Sequence, residues 1–341
     1  MRRRFAPNSA DAAGARASER DGLVYACVLD GKGGARALPD WRAVDAWKAA
    51  DGPLWIHLNR EAPRAQRWIM EGAGLDSQAS IALCSKGTRA RATAIGEGDL
   101  VILRGLNLNE GADPEDMVAV RCWLEPSRLI TTRTRSFHGT REMREALGQG
   151  KGPTSVADAF VFIADRCQAR AADMVEGLDA TADELEVRVM AEPESGMRHD
   201  LAVLRRQAIE LRRYLAPQRD ALMAIVKDGP EYFAPDHMRR LRRLGEDTER
   251  FVEDLDMIRE RAVVVQDEIF SALSVAQGRS TLALSIVATI VLPLTLLTGI
   301  LGVNVGGMFE GRFGPEWWLL LATLAGIAFL TTLFLKIFKV I

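Results

Sequence analysis

Asn304 lies among glycines in TGILGVNVGGMFEG and is the first residue whose type and setting could do chemistry. An amide carbonyl accepts hydrogen bonds from the shell of a hydrated cation without bringing a net charge. Gly302, Gly306 and Gly307 would let the backbone turn there and come close to a ligand. A helix C-cap is a second role for Asn304, compatible with the first. Two acids follow, Glu310 and Glu316, and would raise the local cation concentration. A further set of carboxylates lies upstream: Glu253, Asp256, Glu260 and Asp267. These are oxygen donors of the kind hard divalent cations take, or else a solvated helix face. His57, His138, His199 and His237 form no HExxH or HxxxH pair, and His57 between Ile56 and Leu58 reads as structural. The chain has no GxGxxG, phosphate loop or GxSxG, so it is expected not to be an enzyme and to need no cofactor.

The elements that would position these residues are helices of membrane length. Residues 281–301 and 317–335 carry no charge, and each is long enough to cross about 30 Å of hydrocarbon. Pro293 would remove one helix hydrogen bond, which neighbouring helices can offset. Trp317 and Trp318 open the second run, as in an interfacial aromatic belt. The connector 302–316 has two Glu and one Arg, whereas Arg259, Arg261 and Arg279 precede the first run and Lys336 and Lys339 end the second. The positive-inside bias therefore puts both termini in the cytoplasm and the connector outside. MRRRFAPNSA has no apolar run behind it and is not read as a signal peptide, and residues 1–21 read as a disordered tail. Net charge is −2, which gives no general basic surface for nucleic acid. Cys27, Cys84, Cys122 and Cys167 form no CxxC pair and are expected as free thiols.

Upstream of the first span, Phe251, Leu255, Ile258, Ala262, Val265, Ile269, Ala272 and Ala276 follow a 4-3 spacing, a heptad seam. One helix is expected from about residue 235 to 301, with 235–280 as a stalk and roughly 100 Å in all. Such a helix must pack against copies or neighbours. Residues 151–234 read as a helical hairpin, with tracts 154–191 and 201–226 joined by a turn at 192–196. Residues 22–150 change period: runs at 22–30, 53–59, 99–106, 116–126 and 128–134 read as strands, and 41–50 and 62–74 as helices. The expected fold class is an α+β domain, a mixed sheet with helices, followed by the stalk and two C-terminal transmembrane helices.

ATIVLPLTLLTGILGVN resembles the end of the pore helix in CorA-type divalent-cation transporters, whose signature is Gly-Met-Asn. Here the triplet is Gly302, Val303, Asn304. The Gly-Val-Asn form is similar to the zinc-transporting ZntB branch. PLWIHLN and LRRQAIELRRYLAP occur in the family's order. The resemblance implies a homopentameric funnel in the bacterial inner membrane, with the 302–316 loop periplasmic and 336–341 a cytoplasmic tail. Its pore line falls on Thr281, Leu284, Ala288, Leu292, Thr295 and Gly299, with Gly302, Val303 and Asn304 at the entrance. From their charge alone, Glu310 and Glu316 would lie at the mouth, and Glu253, Asp256, Glu260 and Asp267 are candidate cytosolic cation ligands. It implies zinc transport, in the uptake direction and with proton coupling. The zinc assignment rests on Val303 in place of Met, since no Cys or His falls in 281–301. The alternatives are a magnesium, cobalt or nickel channel, and, of another class, a membrane-anchored coiled-coil scaffold. Expected partners are zinc or other divalent cations, other copies of the chain and the lipid bilayer.

Overall fold

The computed structural model describes residues 21–87, 89–107, 111, 117–191, 196–304 and 315–337. Within them the chain forms two compact units, one of residues up to 191 together with 196–264, the other beginning at residue 265.

The first unit is built on a seven-stranded mixed sheet of order β2-β1-β3-β7-β6-β5-β4. The strands are β1 (Leu23–Leu29), β2 (Ala35–Ala37), β3 (Leu54–Asn59), β4 (Arg91–Ile95), β5 (Gly98–Gly105), β6 (Val118–Glu125) and β7 (Arg128–Arg133). Only β3 and β7 run parallel, in register from Leu54 opposite Arg128 to Asn59 opposite Arg133. Pro126 and Ser127 make the tight turn that closes β6 on β7, with Glu125 opposite Arg128. The apolar runs of β5 and β6 are near-continuous because both faces are covered. Val101, Leu103, Val120 and Cys122 point to one layer; Leu100, Ile102 and Trp123 point to the other.

The second layer holds α1 (Trp41–Asp45), α2 (Pro63–Arg67) with a π turn at Trp68–Gly72, and α3 (Ser77–Cys84). Trp41, Ile69 and Leu83 fill that side. Asp40 caps α1 and Asp76 caps α3, each accepting a backbone N–H of the first turn. The first layer holds α4 (His138–Gly148), α5 (Val156–Ala191), α6 (Met197–Asp228) and the start of α7 (Pro235–Asn304). The fold is the mixed sheet with helices and long following helix that the sequence predicts. The turn expected at 192–196 falls, except for Gly196, outside the described residues, as does the N-terminal tail 1–20.

Polar links tie α7 to the hairpin. Asp158 accepts from the Thr154 hydroxyl at 2.6 Å, and His237 Nε2 donates to it at 3.1 Å while His237 Nδ1 accepts from the Ala234 N–H. Burial raises the Asp158 carboxyl, but these hydrogen bonds outweigh it and leave the group below its ordinary range. Further along, Arg261 is gripped by α5: Nη1 donates to Asp179 at 2.9 Å, Nε to Glu186 at 2.8 Å, and Asp183 accepts a third contact. That guanidinium holds the Glu186 carboxyl below its ordinary range.

These contacts change the reading of the heptad seam. Leu255, Ile258 and Ala262 are already buried within the first unit, whereas Ala272 and Ala276, in the second, are exposed. Heptad spacing demands a covering surface, and here the chain supplies it for the first part of the seam. Only the later part still lacks one.

His57 is structural, as its sequence setting suggests. Trp55 Nε1–H donates to the Thr131 hydroxyl at 2.9 Å, and that hydroxyl donates to the Ile56 carbonyl at 3.1 Å. His57 Nδ1, 2.8 Å from the same oxygen, must therefore be the protonated nitrogen. Burial holds this imidazole down at about 3, helped by the charges of Arg133 and Arg144. An unfolded His titrates near 6.5, so between there and about 3 the unfolded chain binds a proton that the folded chain refuses. Stability should fall as pH drops through that window, by at most about 1.4 kcal/mol per pH unit for one proton. Chemical denaturation at pH 7 and pH 5 should show the loss and His57→Gln should flatten it; equal slopes in the two proteins would contradict this assignment.

Candidate ion-conduction site

The second unit contains the rest of α7 and α8 (Pro315–Ile337), which run side by side. Among the described residues, α7 carries a stretch apolar and long enough to cross a membrane, none of it buried in the chain; α8 carries a shorter apolar run, Leu321–Leu333. Leucines this exposed on one helix need a covering medium, either bilayer or other protein. Leu284 is 72% exposed and Leu292 is 67% exposed.

The two faces of α7 differ. On α8 the half-buried residues are Leu324, Ile327, Ala328 and Thr331, with Gly326, and the first four share a helix face. On the apolar stretch of α7, among the described side chains, they are Ile286, Ile290, Pro293 and Leu294. At about 100° per residue, these four centre about 180° from the line Thr281, Leu284, Ala288, Leu292, Thr295, Gly299. All six residues of that line are exposed. The line therefore occupies the side of α7 turned away from α8 and left bare by its own chain.

Thr295 lies at the border of this bare face. It also lines a groove of about 430 Å³ between the helices, with Val291, Leu294, Thr298, Leu321, Leu324 and Ala325. Its hydroxyl donates to the Val291 carbonyl at 2.8 Å, and Thr298 does the same to Leu294 at 2.9 Å. A hydroxyl whose proton is spent on its own helix has only lone pairs left to offer, which suits a cation and not an anion. A side chain at Gly299 would meet nothing within 4 Å, so its backbone is open to approach.

Gly302, Val303 and Asn304 form the last turn of α7. Glu316 lies in the first turn of α8; Glu310, Gly306 and Gly307 lie outside the described residues. The stalk carboxylates are not brought together. Asp256 is held by Arg212 Nε at 2.8 Å and lies 3.5 Å from Arg259, and Glu260 lies 3.6 Å from Arg259. Glu253 and Asp267 are exposed. Among the described residues no group of three His, Cys, Asp or Glu could hold a metal ion.

The family model for the CorA-like Mg2+ transporter protein matches residues 50–336. The chain belongs to the CorA-like family. It is 34% identical to the divalent cation transporter CmaX of Pseudomonas aeruginosa, over 90% of this chain and 93% of that protein. It is likewise 34% identical to the zinc transport protein ZntB of Pectobacterium atrosepticum, over 86% of this chain and 88% of that one. The solved structure of full-length CmaX superposes with a TM-score of 0.83 at 32% identity, covering 94% of this chain and 98% of that chain. This CorA-family chain is a divalent cation transporter.

One feature escaped sequence reasoning. Arg121, in mid-strand β6, is fully buried and donates to the carbonyls of Ser85 at 3.0 Å and Gly87 at 2.9 Å. Burial first, then Arg60, Arg91 and Arg104, hold its guanidinium down to about 10. An Arg inside an apolar run gives no warning of its partners, because both acceptors are backbone.

Proposed function

We propose that the protein moves zinc ions across the bacterial inner membrane, in the uptake direction, through a homopentameric pore lined by α7. The observation that carries this reading is the exposed, charge-free line from Thr281 to Gly299, opposite the α8 side and leading into Gly302, Val303 and Asn304. Five copies of that face around one axis would cover the apolar side chains and leave water inside. Leu284 and Leu292 would then form rings narrow and apolar enough to gate by dewetting. Thr295 would offer hydroxyl lone pairs, and Gly299 backbone carbonyls. The Asn304 ring would hold a hydrated ion at the outer entrance, with Glu310 and Glu316 drawing cations toward it. The second span is 317–335, both termini are cytoplasmic, and 302–316 is periplasmic. Proton coupling, if it accompanies transport, must run through hydrated ions, the mouth acids or the cytosolic unit, because 281–301 and 317–335 contain no titratable side chain. Glu253, Asp256, Glu260 and Asp267 are the candidate cytosolic cation ligands; Asp256 would have to exchange Arg212 for the ion.

Zinc is preferred to magnesium on Val303 and on the similarity to zinc transport proteins. Radioactive zinc uptake into proteoliposomes, with magnesium as competitor, tests the choice. The expected result is zinc entry that excess magnesium barely slows. Magnesium entry without zinc entry would move the protein to the magnesium, cobalt or nickel reading.

A further inference from the structure

The buried Arg121 has two polar neighbours on its own face of the sheet. Ala119 and Trp123 of β6 point to the layer that holds α3, and Arg121, at the same alternation, faces that layer too. Its cross-strand neighbour on β7 is Thr132, which in turn lies opposite Leu58 on β3. Two residues past Leu58 comes Arg60. Ile130 and Leu58 pack in the α3 layer, so Thr132 and Arg60 continue that face. The carboxyl end of α3 lies over them. Arg60 Nη1 donates to the Cys84 carbonyl at 3.0 Å, and Arg121 Nη2 to the next carbonyl, that of Ser85, also at 3.0 Å. Arg60 is 8% exposed, and Arg121 and Thr132 are fully buried.

Two guanidinium groups are thus held near each other and out of water. Among the described residues neither pairs with an Asp or Glu; their side-chain contacts are to backbone carbonyls. Four atoms are buried without a hydrogen-bond partner: Arg60 Nε, Arg121 Nε and Nη1, and Thr132 Oγ1. A buried donor left unmet is costly, and a charged one more so. The carboxyl end of α3 offsets only roughly half an elementary charge of the two. Cys84 adds no negative charge, because burial holds its thiol above the ordinary range despite Arg60 and Arg121. Burial and then Arg60 hold Arg121 down to about 10, as an uncompensated pair would. Water could accept from two of these donors but would bring no charge. A small anion accepts from them and also neutralises one guanidinium. Since Arg121 and Thr132 are fully buried, the ion that replaces water there must be small.

We propose that Arg60, Arg121 and Thr132 bind one small monovalent anion, of about the size of chloride, beneath the carboxyl end of α3. It would be a resident counter-ion of the sheet unit, separate from the transported cation. Thermal melting of the full-length protein in detergent tests it, in sodium chloride and in sodium gluconate at equal ionic strength. Chloride should raise the melting temperature by a few degrees, and saturably, because it binds the folded chain alone; gluconate is too large to enter. Arg121→Met removes one charge and two of the unmet donors, and should abolish the difference between the salts. Thr132→Val keeps the side-chain shape and every charge while removing the hydroxyl. It should fold, and should raise the half-saturating chloride concentration several-fold. Arg36→Gln, on the edge strand β2, should respond to chloride as the parent does. Should Arg121→Met fail to fold, Thr132→Val decides alone. Equal melting in the two salts would overturn the site and leave its donors to water. A chloride response unchanged by Arg121→Met, or by Thr132→Val, would put the anion elsewhere and overturn it as well.

Discussion

Asn304→Ala should abolish zinc uptake, by at least tenfold in proteoliposomes, while the assembled protein elutes from a sizing column unchanged. A divalent ion gives up its water reluctantly and must first be held hydrated. In the proposed pore a ring of amide oxygens at the end of α7 would do this without the grip of fixed carboxylates, and alanine would leave nothing to accept from the hydration shell. Since Asn304 is the last residue of α7, its loss should not disturb the fold. The membrane-anchored scaffold reading makes the opposite forecast, because an anchor needs no amide there. Uptake retained in full by Asn304→Ala would remove the entrance from the mechanism.

Leu292→Ser should raise resting zinc flux several-fold instead of lowering it. If Leu292 is a constriction that closes by shedding water, a hydroxyl there keeps the narrow point wet and the closed state leaks. Val287→Ser is the control. Val287 is also exposed, at 58%, but lies about 140° around the helix from Leu292. It should change flux little. A leak from Val287→Ser and none from Leu292→Ser would put the conduit on another face of α7.

The long helix was legible because its pattern is strong. No Pro interrupts residues 237–292, and the heptad seam persists to the first apolar run. Central strands were legible because burial on both faces makes their apolar runs continuous. The edges were not: β2 reads Ala-Arg-Ala and β4 Arg-Ala-Thr-Ala-Ile, short and polar because each leaves one side to solvent. Helix α4 was missed because HGTREMREALG buries only Met143 and Leu147 as large apolar residues. Spacing also could not say what covers the seam; Arg261 with Asp179, Asp183 and Glu186 shows that much of the answer is the chain's own α5.

In the assembled membrane protein the α7 face opposite α8 should contact water. Single cysteines at Leu292 and Ile290, in a background lacking Cys84, test it most directly; Cys27, Cys122 and Cys167 are buried and should stay silent. A charged, membrane-impermeant thiol reagent should modify Leu292→Cys in proteoliposomes and leave Ile290→Cys untouched. Modification of Ile290→Cys with protection of Leu292→Cys would mean that the proposed face meets lipid or protein, and there would be no ion path along it.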